Sequence, residues 1–170
     1  MNETALLINT ALASGTTLAL AALGLLINER AGVLNLGAEG MMLVAAVAGF
    51  AIAFTTGSDT LGFAAAALAG AALAAVFGLL VIFLNTNQYA TGLALSLFGY
   101  GFSAFVGVGM VGQSLSAREQ HAIPVLSELP FVGPALFSHH PMVYVAMALT
   151  VAIAWFFYRT RAGLLQRAIG

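Results

Sequence analysis

From Thr60 to Ala117 the chain carries no charged side chain. A helix that crosses a bilayer needs about 20 consecutive, mostly apolar residues, and this run has room for two. It is divided once, by Asn85-Thr86-Asn87-Gln88. Four polar side chains in a row make a poor helix centre and a good interfacial turn, so the run predicts two membrane helices joined by a short connection.

The rest of the sequence repeats the pattern. Charged residues make up 6% of the chain, against roughly 25% in a soluble domain. Hydrophobic residues reach 61% and mean hydropathy is +1.02. No soluble fold hides that much apolar surface, so part of the solvent is lipid. Five segments are long enough, or nearly so: 5–27, 40–56, 61–84, 89–111 and 141–158. The expected fold is all-α, a polytopic transmembrane helix bundle occupying residues 1–170 as one region. Gly57, Ser58 and Asp59 mark a tight turn between the second and third spans. Residues 112–140 form the one long loop, with Ser116 to Leu126 as a possible short surface helix. Pro141 suits the first turn of the fifth helix, where a missing N–H costs nothing. The start Met1-Asn2-Glu3 is acidic and the first apolar run exceeds that of a secretory signal, so it reads as a mature spanning helix.

Arginine placement orients the bundle, because cytoplasmic loops carry the excess of positive charge. Arg30 follows span one; Arg159, Arg161 and Arg167 follow span five; Arg118 lies in the long loop. With five spans the first four fall on one side. The expectation is a cytoplasmic C-terminus, with the N-terminus and loop 112–140 outside.

Several functions are excluded or unsupported. Lysine is absent, and a phosphate-binding Walker loop requires it; any ATP must be hydrolysed by another chain. Cysteine is absent, which removes disulfides and thiolate metal sites. A net charge of −1 offers no basic patch for nucleic acid. His121, His139 and His140 lack the companions of a metal site, and Glu29 with Glu39 lacks a nucleophile or cofactor motif. Gly99-Tyr100-Gly101 lies inside a continuous apolar span, unlike a potassium filter with its Thr-Val-Gly-Tyr-Gly loop. Neither catalysis, metal nor cofactor is expected.

Helices associate in lipid through close backbone approach at small residues four apart. Four such stripes are present: Ala11, Gly15, Ala19; Ala45, Gly49, Ala53; Ala66, Gly70, Ala74, Gly78; and Gly99, Ser103, Gly107. Gly15, Gly49, Gly70, Gly78, Gly99 and Gly107 are therefore candidate packing positions. Chance in alanine-rich helices gives the same spacing, but four stripes on four spans favour a tight bundle.

The segment from Asn28 to Met42 stands apart. Glu29, Arg30, Gly32, Asn35, Gly37, Glu39 and Gly40 concentrate charge, amide and glycine between two apolar spans. Glycines at these intervals weaken helix and permit positive φ. Irregular backbone dipping toward membrane depth is the sharper reading, tolerated only where it is buried in protein or lines a wet cavity. An ordinary cytoplasmic loop is the plainer one. Glu39 would sit near the start of span two, where the helix dipole favours an anion. Intramembrane polar residues mark pathways, which nominates Asn9, Asn35, Gln88, Tyr89, Thr91, Ser96 and Tyr100 as pathway or gate residues, Asn35 first.

The run Glu29-Arg30-Ala31-Gly32-Val33-Leu34-Asn35-Leu36-Gly37-Ala38-Glu39-Gly40-Met41-Met42-Leu43 resembles the signature of permeases of ATP-binding-cassette importers, in the family serving branched-chain amino acids, ribose-type sugars and nucleosides. It looks closest to the simple-sugar and nucleoside branch. The loop from Ile123-Pro124 to Leu136-Phe137, and the tail Tyr158 to Leu164 with Arg167 to Gly170, resemble the same branch. The resemblance implies a second permease chain, two cytoplasmic ATPases, an external substrate-binding protein and a bacterial plasma-membrane location. It also implies a missing second half, since family members continue beyond the point matching Gly170. Two other classes fit the residues: an ion-coupled secondary transporter, against which the uncharged span centres weigh, and a membrane scaffold subunit without a pathway.

Overall fold

The computed structural model describes residues 3–115 and 139–169, and all the regular structure in them is helical. The helices are α1 (Glu3–Glu29), α2 (Ala38–Thr56), α3 (Asp59–Gly78), α4 (Gln88–Gly107), α5 (Pro141–Arg159) and α6 (Arg161–Ile169). A π-helical turn, Leu79–Phe83, extends α3, and a 3-10 turn, Val108–Met110, extends α4. Five helices are long and apolar enough to cross a membrane, as expected. Most of loop 112–140, including the short helix expected at its start and His121, lies outside the described residues.

Local chemistry sets the helix ends. Gly57 closes α2 in the left-handed region (φ 66°), donating to the Ala53 carbonyl at 2.9 Å, and Ser58 opens α3 by accepting from the Leu61 N–H. Asn87 caps α4 by accepting from Tyr89 and Ala90 at 3.0 and 3.1 Å. His140 caps α5, with Pro141 at its first position. Hydroxyls inside the spans bond back to carbonyls one turn earlier, as Thr10 does to Leu6 (2.9 Å) and Thr150 to Ala146 (2.8 Å), so their protons are already satisfied within the helix.

The chain divides into two compact units. One takes residues up to Gly32 and from Ala117 onward; the other is Val33–Ser116. In the first, α1 and α5 run parallel. Ala11, Gly15 and Ala19 lie across from Val143, Ala146 and Met147 around a notch of about 270 Å³. Further along, Leu23 and Leu26 lie across from Ile153 and Phe157. Arg30 and the three arginines after residue 158 therefore gather at one end of this unit. Thr160 turns the chain into α6, its hydroxyl donating to the Phe156 carbonyl (2.7 Å) and accepting from the Gly163 N–H (3.0 Å). Gly163 packs directly on the Phe156–Phe157 backbone, and Gln166 donates to the Ile27 carbonyl at 2.8 Å.

In the second unit α2 and α3 form an antiparallel hairpin. A Cβ on Gly49 would meet Ala66 Cβ at 2.9 Å, and one on Gly62 would meet Ala53 Cβ at 2.7 Å. Gly70 stands at ordinary contact from Ala45 (3.6 Å). The other nominated glycines differ. A Cβ at Gly15 or Gly107 would meet nothing within 4 Å, and one at Gly78 only the tip of Ile82 on its own helix. Close approach inside this chain uses Gly49, Gly62 and Gly99 instead of those three. Gly62→Leu should destabilise the protein by about 1–3 kcal/mol through overpacking, whereas Gly15→Leu should stay within about 0.5 kcal/mol. Thermal unfolding of the detergent-solubilised protein measures both.

Candidate functional site

The polar segment between α1 and α2 is irregular backbone. Arg30–Gly32 turn, residues 33–35 are extended or bent, and helix resumes at Ala38. Of its glycines only Gly32 has positive φ (75°). Gly37 and Gly40 serve a different purpose, which is proximity to α4. Glu29, Arg30 and Glu39 are exposed in this chain, not buried, and neither Glu29 nor Arg30 forms an ion pair among the described residues.

Residues 34–40 run parallel to α4 and are fastened to it along one face. The Leu34 N–H donates to Gln88 Oε1 (2.7 Å), Ser96 Oγ donates to the Leu36 carbonyl (2.8 Å), and the Tyr100 hydroxyl donates to Glu39 Oε2 (2.7 Å). Between these clamps the backbones touch. A Cβ on Gly92 would meet the N atoms of Leu36 and Gly37 at 2.9 and 3.0 Å. One on Gly40 would meet the Leu95 carbonyl oxygen at 2.5 Å and Ser96 Cα at 2.6 Å, and Gly99 lies directly against the Gly40 backbone. Gln88, Gly92, Ser96 and Gly99 are spaced four, four and three apart, which is one face of a helix. Backbone amides outside helix need partners at membrane depth, and α4 supplies them.

Asn35 completes the turn. It is buried, its Oδ1 accepts from the Gly37 N–H at 2.9 Å, and its Nδ2 stands 3.6 Å from Met41 Sδ. In this conformation Asn35 shapes the entry to α2. Thr91 shares a hydrogen bond with Thr86 (2.9 Å) beside the π-helical turn. Tyr89 and Tyr100 are each about half exposed and lie eleven residues apart, again on one face of α4. Asn9 lies on α1, in the other unit.

Tyr100 stands twelve residues, about 18 Å, along α4 from Gln88, near the middle of the apolar stretch Gln88–Met110. Glu39 is the second residue of the apolar stretch Ala38–Thr56, as the sequence predicts. The Gly40 backbone beside it packs on Leu95, Ser96 and Gly99, so α2 starts beside the central turns of α4. Sequence spacing did not reveal this. It did contain the Gln88, Gly92, Ser96, Gly99 face, which runs backward from Gly99; the stripe read forward through Ser103 to Gly107 is the wrong continuation. No group of three or more metal-ligating side chains occurs among the described residues.

Loss of the amide partner at Gln88 gives a direct check. Gln88→Leu leaves the Leu34 N–H unmet at about 1–3 kcal/mol. Hydrogen exchange at that amide should accelerate about tenfold or more, with exchange in the α2–α3 hairpin unchanged, as followed by exchange mass spectrometry.

Comparison with known proteins bears on the whole length of this site. The family model described as branched-chain amino acid transport system / permease component matches residues 7–170. A candidate glucose ABC transporter permease of Haloferax volcanii is 45% identical over 175 residues, covering 100% of this chain and 53% of that protein. The guanosine ABC transporter permease of Bacillus subtilis is 29% identical over 168 residues, covering 90% of this chain and 52% of its own. The nucleoside ABC transporter permease of Lactococcus lactis is 25% identical over 181 residues, 57% of its length. The chain thus spans about half the length of the curated relatives it matches. No solved structure matches it.

Proposed function

Because the chain belongs to the family of permease components of branched-chain amino acid transport systems, we propose that it forms part of the membrane pathway of an ATP-driven importer for a small polar solute such as a nucleoside or simple sugar. The observation that carries the reading is Glu39. An exposed carboxylate beside the central turns of α4, bonded to Tyr100, cannot face hydrocarbon cheaply: an acidic residue at a helix centre costs roughly 2.5–3.5 kcal/mol. The face that bears it must be wet. Tyr100 and Tyr89 border the same side of α4, and aromatic faces with hydroxyl and carboxylate groups suit a sugar ring, which offers apolar carbon faces and many hydroxyl donors.

In the assembled importer this chain works with a second permease chain, two cytoplasmic ATPases and an external substrate-binding protein. The arginine-bearing end of α1 and α5 faces the cytoplasm, where the ATPases act, and solute arrives from the opposite side. The contact between residues 34–40 and α4 is the deformable joint. Its clamps are three side-chain hydrogen bonds worth about 0.5–1.5 kcal/mol each, small enough to be exchanged as the pathway alternates between outward and inward openings.

For the ion-coupled alternative, Glu39 is the ionisable group that would carry the coupling. Family membership favours the ATP-driven reading. In the full-length permease co-expressed with its ATPase and binding protein, Glu39→Gln should lower uptake of labelled nucleoside or glucose at least about tenfold, the loss of about 1.4 kcal/mol, with ATP still required. Uptake driven by a proton or sodium gradient without ATP would replace the reading with the secondary transporter.

The scaffold alternative predicts a dry interior. The chain has no cysteine, so single cysteines report cleanly. Tyr89→Cys and Tyr100→Cys should react with a membrane-impermeant maleimide, while Leu68→Cys on the exposed apolar face of α3 should not. Silence at both tyrosine positions leaves a subunit without a pathway.

A further inference from the structure

The unit built from the chain's two ends holds a cavity of about 200 Å³ between α1 and α5, on a different part of the molecule from the α2–α4 site. Its walls are mostly apolar, from Leu23 and Leu26 on one helix and Ile153 and Phe157 on the other, with Thr150 the one hydroxyl outside Tyr158, its proton already given to the Ala146 carbonyl. At the end where the arginines gather, Arg30 and Arg167 both line it, and no carboxylate does. Neither arginine forms an ion pair among the described residues. Arg167 Nε is buried with no hydrogen-bond partner. The Arg167 guanidinium is held over the Tyr158 ring at 5.1 Å, a geometry that fixes its plane without neutralising its charge.

A buried guanidinium N–H lacking an acceptor, beside a second guanidinium, calls for an anion with several oxygens. A slot of bare aliphatic and aromatic walls calls for hydrocarbon. The two requirements meet in one molecule. We propose that this cavity binds an anionic phospholipid of the bilayer, its phosphodiester between Arg30 and Arg167 and the first carbons of an acyl chain along Leu23, Leu26, Ile153 and Phe157. Position along the membrane agrees. Trp155 and Tyr158 are exposed on the last turns of α5 (62% and 71%), and such residues concentrate at headgroup level. Arg159 and Arg161 follow immediately and add to the positive field. The volume, about six or seven water-sized groups, accommodates a phosphodiester and a few carbons. A free phosphate would use the arginines and gain nothing from the walls. The proposal requires that α1 and α5 sit in a bilayer, and does not depend on which solute is carried.

The Gln166 bond to the Ile27 carbonyl gives the lipid a structural consequence. It ties α6 across the end of α1, so a headgroup held by Arg30 and Arg167 would fasten the same two elements a second time.

Native mass spectrometry of the full-length permease provides the test, using phosphatidylglycerol, phosphatidylcholine and inorganic phosphate as probes. Wild type should retain phosphatidylglycerol over phosphatidylcholine. Arg30→Gln and Arg167→Gln should each weaken retention about fivefold, and the double variant about twentyfold or more. Arg161→Gln, outside the cavity lining, should leave it near wild type. Equal retention of the two lipids, an equal loss in Arg161→Gln, or complete displacement by millimolar phosphate would each overturn the assignment, the last in favour of a free-anion site. Should the double variant fail to fold, a photo-crosslinker replacing Leu26 in otherwise wild-type protein decides. Attachment to phosphatidylglycerol supports the site; attachment to a segment of the longer permease chain means that protein fills the cavity, and ends the idea.

Discussion

Unpaired backbone at membrane depth is the constraint around which the second unit is built. Between Gly32 and Ala38 the chain leaves the helical ladder, so its N–H and C=O groups must be met by something other than water. Helix α4 answers with one face. Gln88 and Ser96 supply hydrogen-bonding side chains, and Gly92 and Gly99 omit side chains where the backbones meet. Adding a single Cβ at Gly92 would push against two amide nitrogens within about 3 Å. The position of α2 and the placing of Glu39 beside Tyr100 both follow from this one parallel contact.

Charge placement then acquires a physical logic. In the end-built unit the parallel course of α1 and α5 collects Arg30 and Arg167 around one cavity, in keeping with the four candidate spans that lie between them. In the other unit the one carboxylate on this face, Glu39, stands beside α4, where the Tyr100 hydroxyl donates to its Oε2 at 2.7 Å.

Much of this was legible in the sequence, and the residues show why. The five spans could be read because hydropathy is summed over some 20 residues and does not depend on which face is buried. The turns at Gly57–Ser58 and Asn87, and the helix start at Pro141, could be read because capping is local. The irregular segment was legible from its glycines and polar groups. Which glycine meets which helix was not. Gly15 and Gly107 have the same spacing as Gly49 and Gly99, yet a Cβ on either would meet no atom within 4 Å among the described residues. Pairing depends on helix direction and register, which i+4 counting does not contain. The same holds for Glu39: its place at the start of span two was legible, but the α4 residues beside it were not.

Two kinds of small-residue contact in one unit divide the mechanical labour. The α2–α3 hairpin is closed by methyl groups and glycines alone, with Gly62 held between Gly49 and Ala53. Such a contact gains from dispersion over many atoms and loses quickly with separation, so the hairpin moves as a block. The contact of residues 34–40 with α4 adds side-chain hydrogen bonds across a shallow glycine surface. Hydrogen bonds can be exchanged for others to a neighbouring carbonyl, a solute hydroxyl or water at little net change. The side-chain hydrogen bonds between residues 34–40 and α4, that of Glu39 among them, are therefore the exchangeable part of this unit's packing.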